Sequence, residues 1–280
     1  MKKNFVLSAV AIVMATALVF TACGGKKDGE SSGSAKAAKS SDKANPATDF
    51  GYDLTADGQG ILIKKYTGGP GKVVIPATIE DIPVVEIGDE AFNGETTTTN
   101  LMAAVITGNV FDAESKSTEN EKAGITSITI PNSVKKIGSE AFANTAITSI
   151  VIPDSVTELG FTWLGYSNIF DGCKLLAEIR LSDNIETLPR LGDLSALKKI
   201  NLPKNLKRIG SIALGDCGEL SEIVIPETLT AVEFVNIKQD FFTGEISYKS
   251  EQDNAAFAGC SKLPIKTRQT IQGWGYTSSF

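Results

Sequence analysis

Residues 125–160 read ITSITIPNSVKKIGSEAFANTAITSIVIPDSVTELG. The phrase ITSI-x-IP-x-SV is written twice within them, with Pro131 and Pro153 in matching places. A chain repeats itself this closely when each copy builds a unit that only a neighbouring copy can complete. Using the residue that ends each short apolar strand as a ruler, the pattern extends outward in both directions. It gives KVVIP at Pro76, SITIP at Pro131, SIVIP at Pro153, EIRLS at Ser182, KINLP at Pro203 and EIVIP at Pro226, with spacings of 55, 22, 29, 21 and 23 residues. Most spacings lie near one unit of 22, and the long ones are explained by insertions.

The recurring unit is x-I-x-I-P-x-x-V-x-x-I-G-x-x-A-F-x-x-C-x-x-L. An apolar residue three places after the marker recurs as Ile79, Val134, Val156, Ile185, Leu206 and Leu229. Ile137-Gly138, Leu159-Gly160 and Ile209-Gly210 follow, then Ala91-Phe92, Ala141-Phe142, Ile169-Phe170, Ala213-Leu214 and Ala256-Phe257. Alternation turns Ile128 and Ile130 to one face of a strand. Proline, which has no amide hydrogen, stops the ladder. The glycine is expected in a tight turn with unusual backbone angles, and the Ala-Phe segment in a return that lays its ring over the strand. Stacked copies then give a β-rich solenoid with a continuous core, each repeat of about 22 residues being a short strand plus a turn or short helix.

At these residues the chain closely resembles the BspA-type leucine-rich repeat family of bacterial surface proteins, whose units read much like SITIPNSVKKIGSEAFANT. The resemblance runs from about Gly51 to the C-terminus. It departs after Ser182, where the proline is lost and Pro189 takes the glycine place, so that unit is expected to be the least regular. The resemblance implies adhesion or contact with a host surface, as in some members of the family, although fold alone does not fix function.

The expected organisation is a leader over 1–22, a lipidated N-terminus and tether over 23–48, an N-terminal β cap with the first strand over 49–75, repeats over 76–263 and a C-terminal cap over 264–280. The cap has strands at Tyr52–Leu54 and Ile61–Tyr66 turned by Asp57-Gly58, and Trp274 and Tyr276 are expected as lids on the last core layer. Insertions interrupt the repeats near 95–124, which contains LMAAVI, at 161–167 (FTWLGYS) and over 233–254. Insertions in solenoids commonly emerge on a binding face.

Lys2 and Lys3 precede an apolar run from Phe5 to Phe20, a secretory leader too short to span a bilayer. Phe20-Thr21-Ala22-Cys23 resembles the lipobox of bacterial lipoproteins, with Phe20 where Leu is usual. That resemblance implies cleavage before Cys23 and two acyl chains on it, enough for stable anchoring. An ordinary cleaved signal with an incidental cysteine is the plainer alternative. Residues 24–48, GGKKDGESSGSAKAAKSSDKANPAT, cannot bury enough surface to offset ordering entropy and read as a tether. The expected location is the bacterial cell envelope, outside the cytoplasm and bound to a membrane.

The net charge is −6, yet the leader and tether are each +2, leaving about −10 from Asp49 onward. Such a domain is not expected to bind nucleic acid. Histidine is absent, which removes Ser-His-Asp and Cys-His catalysis and histidine-ligated metals. GGPGK at 68–72 is not a phosphate loop, because Tyr66 stands at the first glycine place and Val73 at the Ser/Thr place. Cys173, Cys217 and Cys260 share one repeat position and are expected as small apolar core residues, not metal ligands. Glu90 with Glu140, and Asp154 with Glu227, occupy equivalent solvated turn positions, whereas a glycosidase needs carboxylates facing across a cleft.

The outward side of the strand ladder remains. Alternation places Val74, Thr129, Val151, Arg180, Asn201 and Val224 there, flanked by Lys72, Ser127, Ser149, Glu178, Lys199 and Glu222. Its mixed polarity suits a protein or glycan partner, or simply a solvated sheet face. The expectation is a monomeric, non-enzymatic binding protein without cofactor, at the cell surface. An envelope scaffold for a partner from the same cell shares these features, and a hydrolase using acidic residues of the insertions is the rival of another class.

Overall fold

The computed structural model describes residues 43–94, 124–161, 168–240, 243, 245–250 and 254–280. The leader, Cys23, most of the tether, LMAAVI and most of FTWLGYS lie outside the described residues.

Two ladders of short strands run through the repeats. The first is built from the x-I-x-I-P segments: β3 (Gly71–Val74), β6 (Ile125–Thr129), β8 (Ser149–Val151), β10 (Glu178–Arg180), β12 (Lys199–Asn201) and β14 (Glu222–Val224). β3 pairs parallel with β6, and β8, β10, β12 and β14 pair parallel in sequence order, with Ile150, Ile179, Ile200 and Ile223 in one register column. After the strand, the proline carbonyl accepts the amide three residues on, as from Val134 to Pro131 (3.2 Å) and from Val156 to Pro153 (2.9 Å). That turn sends the chain into a second parallel ladder.

The second ladder contains the Ile-Gly segments. β5 (Ile82–Ile87), β7 (Lys136–Ile137) and β9 (Glu158–Leu159) form one run; β11 (Thr187–Leu188), β13 (Arg208–Gly210) and β15 (Glu233–Gln239) form another, and β16 (Ile246–Ser250) adds antiparallel to β15. Among the described residues no strand pairing joins β9 to β11. The irregularity expected after Ser182 therefore falls in this ladder alone, next to the 161–167 insertion. In the first ladder Ser182 compensates for the lost proline: it is fully buried, and its hydroxyl donates to the Val156 carbonyl (2.6 Å) and accepts the Asn184 amide (3.1 Å).

The glycine expectation is corrected. Gly138, Gly160 and Gly210 lack positive φ. A Cβ on Gly138 would stand 2.5 Å from the Asp89 nitrogen, and one on Gly160 2.4 Å from the Ser139 nitrogen. These glycines let one backbone layer lie against the next. The left-handed backbone falls later in the unit, at Glu90 (φ 54), Glu140 (φ 53) and Ile212 (φ 56), just before the Ala-Phe position.

The aromatic residues stack as one column. Tyr66, Phe92, Phe142 and Phe170 follow each other at centroid separations of 5.5, 5.7 and 5.9 Å. Leu191, Leu214 and Phe257 continue the buried series. The amides of most of these residues reach the carbonyl one layer on, as from Phe142 to Ile169 (2.9 Å) and from Leu214 to Ala256 (2.7 Å), while the Phe170 amide donates to the Asn168 side-chain oxygen (2.7 Å).

Both ends are closed. At the N-terminal side β1 (Phe50–Leu54) pairs antiparallel with β2 (Ile61–Tyr66), which pairs parallel with β5, while the two-residue β4 (Thr78–Ile79) pairs antiparallel with β5. Asn45 lies along β3: its amide donates to the Val74 carbonyl (2.9 Å) and its side-chain oxygen accepts the Val74 amide (2.8 Å). At the far end helix α1 (Ile265–Gly273) leads to Tyr276, which is buried and packs on Phe257 at 5.4 Å and Phe234 at 5.5 Å. The Tyr276 hydroxyl accepts the Phe257 amide (3.2 Å), the bond an eighth layer would otherwise receive, and donates to the Ser279 carbonyl (3.0 Å). Trp274 packs on the same core while remaining partly exposed. The expected insertion over 233–254 is corrected in part: β15 is a rung of the second ladder, with Phe234 opposite Ile209.

Candidate partner-binding face

The outward residues of the first ladder do not share one environment. Val151 is 54% and Val224 45% exposed, making them the apolar handles of this face. Thr129 and Ser127 are half-buried, and Ser149, Glu178 and Glu222 are exposed. Val74, expected on the same face, is a correction: it is 9% exposed, in the layer where Asn45 covers the β3 backbone.

Asn201 is also engaged more deeply than alternation implies. Its side chain accepts the Leu181 amide (2.6 Å) and donates to the Leu181 carbonyl (3.2 Å), fastening β12 to β10. Its polar atoms serve the ladder first.

Charges on this face are matched between rungs. Register sets Glu178 beside Lys199 and Lys199 beside Glu222, and Lys199 Nζ lies 2.9 Å from Glu222 Oε1. The hydrogen bond and charge of Glu222 raise the Lys199 pKa. Arg180 reaches Asp154 at 3.3 Å. Partial burial opposes ionisation of Asp154, but the Asp183 amide and the Arg180 guanidinium together hold its carboxyl below the usual range. Exposed pairs of this kind add little stability each; like charges in register would be unfavourable, so the alternation supports the register.

The cysteines lie in the core. Cys173, Cys217 and Cys260 are free and at most 1% exposed. They do more than fill space: Cys173 Sγ donates to the Phe142 carbonyl (3.1 Å) and Cys260 Sγ to the Leu214 carbonyl (3.1 Å), each in the preceding layer. Thr145 holds the same position one layer earlier and donates to Phe142 as well (2.9 Å). Burial pushes the thiols of Cys217 and Cys260 up to about 11 and about 12.

A groove of ≈ 540 Å³ opens where the second ladder is interrupted, lined by Phe161, Arg208, Ile237, Ile246 and Tyr248 among others. It also carries Glu158 and Glu186, but Glu186 is paired with Lys207 at 2.6 Å. Among the described residues no group of three or more His, Cys, Asp or Glu is placed to hold a metal ion, and no helix is long and apolar enough to cross a membrane.

Residues 115–249 match the family described as BspA type leucine-rich repeat region (6 copies). Among solved structures the chain is similar to the leucine-rich repeat protein of T. pallidum, at 23% identity over 85% of this chain and 99% of that one, with a TM-score of 0.54. It is also similar to a leucine-rich repeat protein from Bacteroides ovatus, at 24% identity over 66% of this chain and 54% of that one, with a TM-score of 0.34. The pneumococcal vaccine antigen PcpA is 18% identical over 76% of this chain and 55% of that one, with a TM-score of 0.43. The first of these likenesses bears on the fold. No curated protein matches the chain.

Proposed function

The repeat region over 115–249 belongs to the BspA-type leucine-rich repeat family, and from that premise we propose that this protein is a lipid-anchored, extracytoplasmic binding protein whose first-ladder face holds another macromolecule. Solenoids use such extended faces for recognition. The observation that carries the reading is the pair of exposed valines, Val151 and Val224, set among charges already matched to one another. A partner covering this face gains apolar contact beside charges already neutralised in the pairs Lys199–Glu222 and Arg180–Asp154. The two aliphatic handles favour a protein over a glycan. Cys23 supplies the anchor, and the partner lies on another cell or host surface, as in adhesion.

The test uses the full chain in its own cell. Val151→Glu combined with Val224→Glu is expected to lower cross-linked capture of the partner about tenfold, the equivalent of 1.4 kcal/mol, with an unchanged unfolding midpoint, and Cys23→Ser to move the protein from the membrane to the soluble fraction. Undiminished capture by the double variant would remove the binding face from this ladder. Protease shaving of intact cells decides the side: a domain that survives shaving points to a partner within the envelope.

A further inference from the structure

The second ladder ends on an uncovered strand. β16 is the last strand of its sheet, all five residues from Ile246 to Ser250 are exposed, and its two large apolar side chains, Ile246 and Tyr248, are 42% and 43% exposed. Among the described residues no strand pairs with its outer edge. An exposed edge with apolar side chains is a template for a further strand.

The hydrogen-bond pattern says which groups that strand would meet. The Asp240 amide donates to the Glu245 carbonyl across the hairpin (2.8 Å), beside the register pairs Gln239 with Ile246 and Lys238 with Ser247. Alternation from that bond turns the Glu245 carbonyl and the amides and carbonyls of Ser247 and Lys249 toward β15, the Glu245 amide donating to the Thr243 hydroxyl (3.2 Å). Those of Ile246, Tyr248 and Ser250 point outward.

The sequence here is self-complementary. EISYK, residues 245–249, laid antiparallel on a second copy about Ser247, sets Ile246 opposite Tyr248 and Glu245 opposite Lys249. Ile246 and Tyr248 both present free backbone groups, so they form the hydrogen-bonded pairs of the new ladder, while the Glu-Lys and Ser-Ser pairs fall at the closer, non-hydrogen-bonded places. Aromatic against β-branched and acid against base are both favourable cross-strand pairs. A register centred on Tyr248 would set Glu245 against Glu251, a like-charge pair. Two-fold symmetry is the commonest arrangement of identical subunits and requires this kind of self-matching patch.

We propose that β16 is a homodimerisation edge, pairing antiparallel with β16 of a second copy about a two-fold axis at Ser247. This departs from the monomer expected from the sequence. An edge contact of this size is weak in dilute solution and gains from confinement on a surface.

Covalent capture and charge exchange on the full chain test the proposal. Ser247→Cys is expected to give a disulfide-linked dimer on mild oxidation, of twice the mass of the reduced protein. Wild type and the exposed control Ser221→Cys do not. Glu245→Lys and Lys249→Glu, each placing like charges opposite, are expected to weaken association about tenfold by sedimentation, and the double exchange to restore it. All these side chains are exposed, and circular dichroism confirms that the variants fold. A Ser247→Cys protein that stays monomeric or links only to a different protein overturns the proposal, and a double exchange as weak as the single variants overturns the register.

Discussion

Gly138 and its equivalents show how a single atom sets the spacing of this molecule. A methyl group at Gly138 would meet the backbone of Asp89 at 2.5 Å, and backbone has nowhere to move in a stacked layer. Gly138→Ala is expected to cost about 1–3 kcal/mol in urea unfolding, whereas Gly69→Ala, with no atom near the added group, stays within about 0.5 kcal/mol. The recurrence of Ile-Gly was legible in the sequence, but its cause was not, because close approach and a left-handed turn both select glycine. The cysteines repeat that lesson: their shared position was plain, whereas the donation of Cys173 and Cys260 to carbonyls of the preceding layer needed the third dimension. Burial holds the thiol pKa of Cys217 near 11 and of Cys260 near 12, above the ordinary value of 9.0, so folding favours the protonated form. That contribution is whole below about pH 9 and is lost as the pH climbs toward 11 and 12. The expected outcome is an unfolding midpoint that falls above pH 9, with thiol reagents at pH 8 reaching these three residues only in denaturant.

Strands of two or three residues, such as β7, β9 and β11, cannot stand alone and hold their place through the rows beneath them. The ring column is one of those rows. Phe142 lies between Phe92 at 5.7 Å and Phe170 at 5.9 Å and is fully buried. Phe142→Ala is expected to destabilise by about 3–5 kcal/mol, read from calorimetry or denaturant unfolding. The first ladder was legible because x-I-x-I-P marks its strands directly. The second was hidden, since a two-residue strand leaves no periodicity to detect. β15 was hidden for another reason: Phe234 stands eight residues after Pro226, where Ile137 and Ile209 stand six after their prolines, and no Ile-Gly pair marks it, so only its register with Ile209 identifies it as a rung. On the binding face, alternation found Val151 and Val224 but could not tell that Asn45 covers the Val74 backbone or that Asn201 is committed to Leu181.

At the scale of the whole solenoid, closure depends on a few side chains standing in for missing layers. Asn45 satisfies the β3 backbone at one end, and the Tyr276 hydroxyl takes the Phe257 amide at the other. The sequence placed Tyr276 as a lid from its aromatic character, while its polar role followed from the one amide left over when the stack stops. Neither closing group contacts an interior repeat in a way that depends on how many there are. The length of the body is thus decoupled from its terminations, and each added or deleted unit would change its reach by one fixed step of roughly 5 Å, leaving the two ends to work unaltered on a longer or shorter ruler.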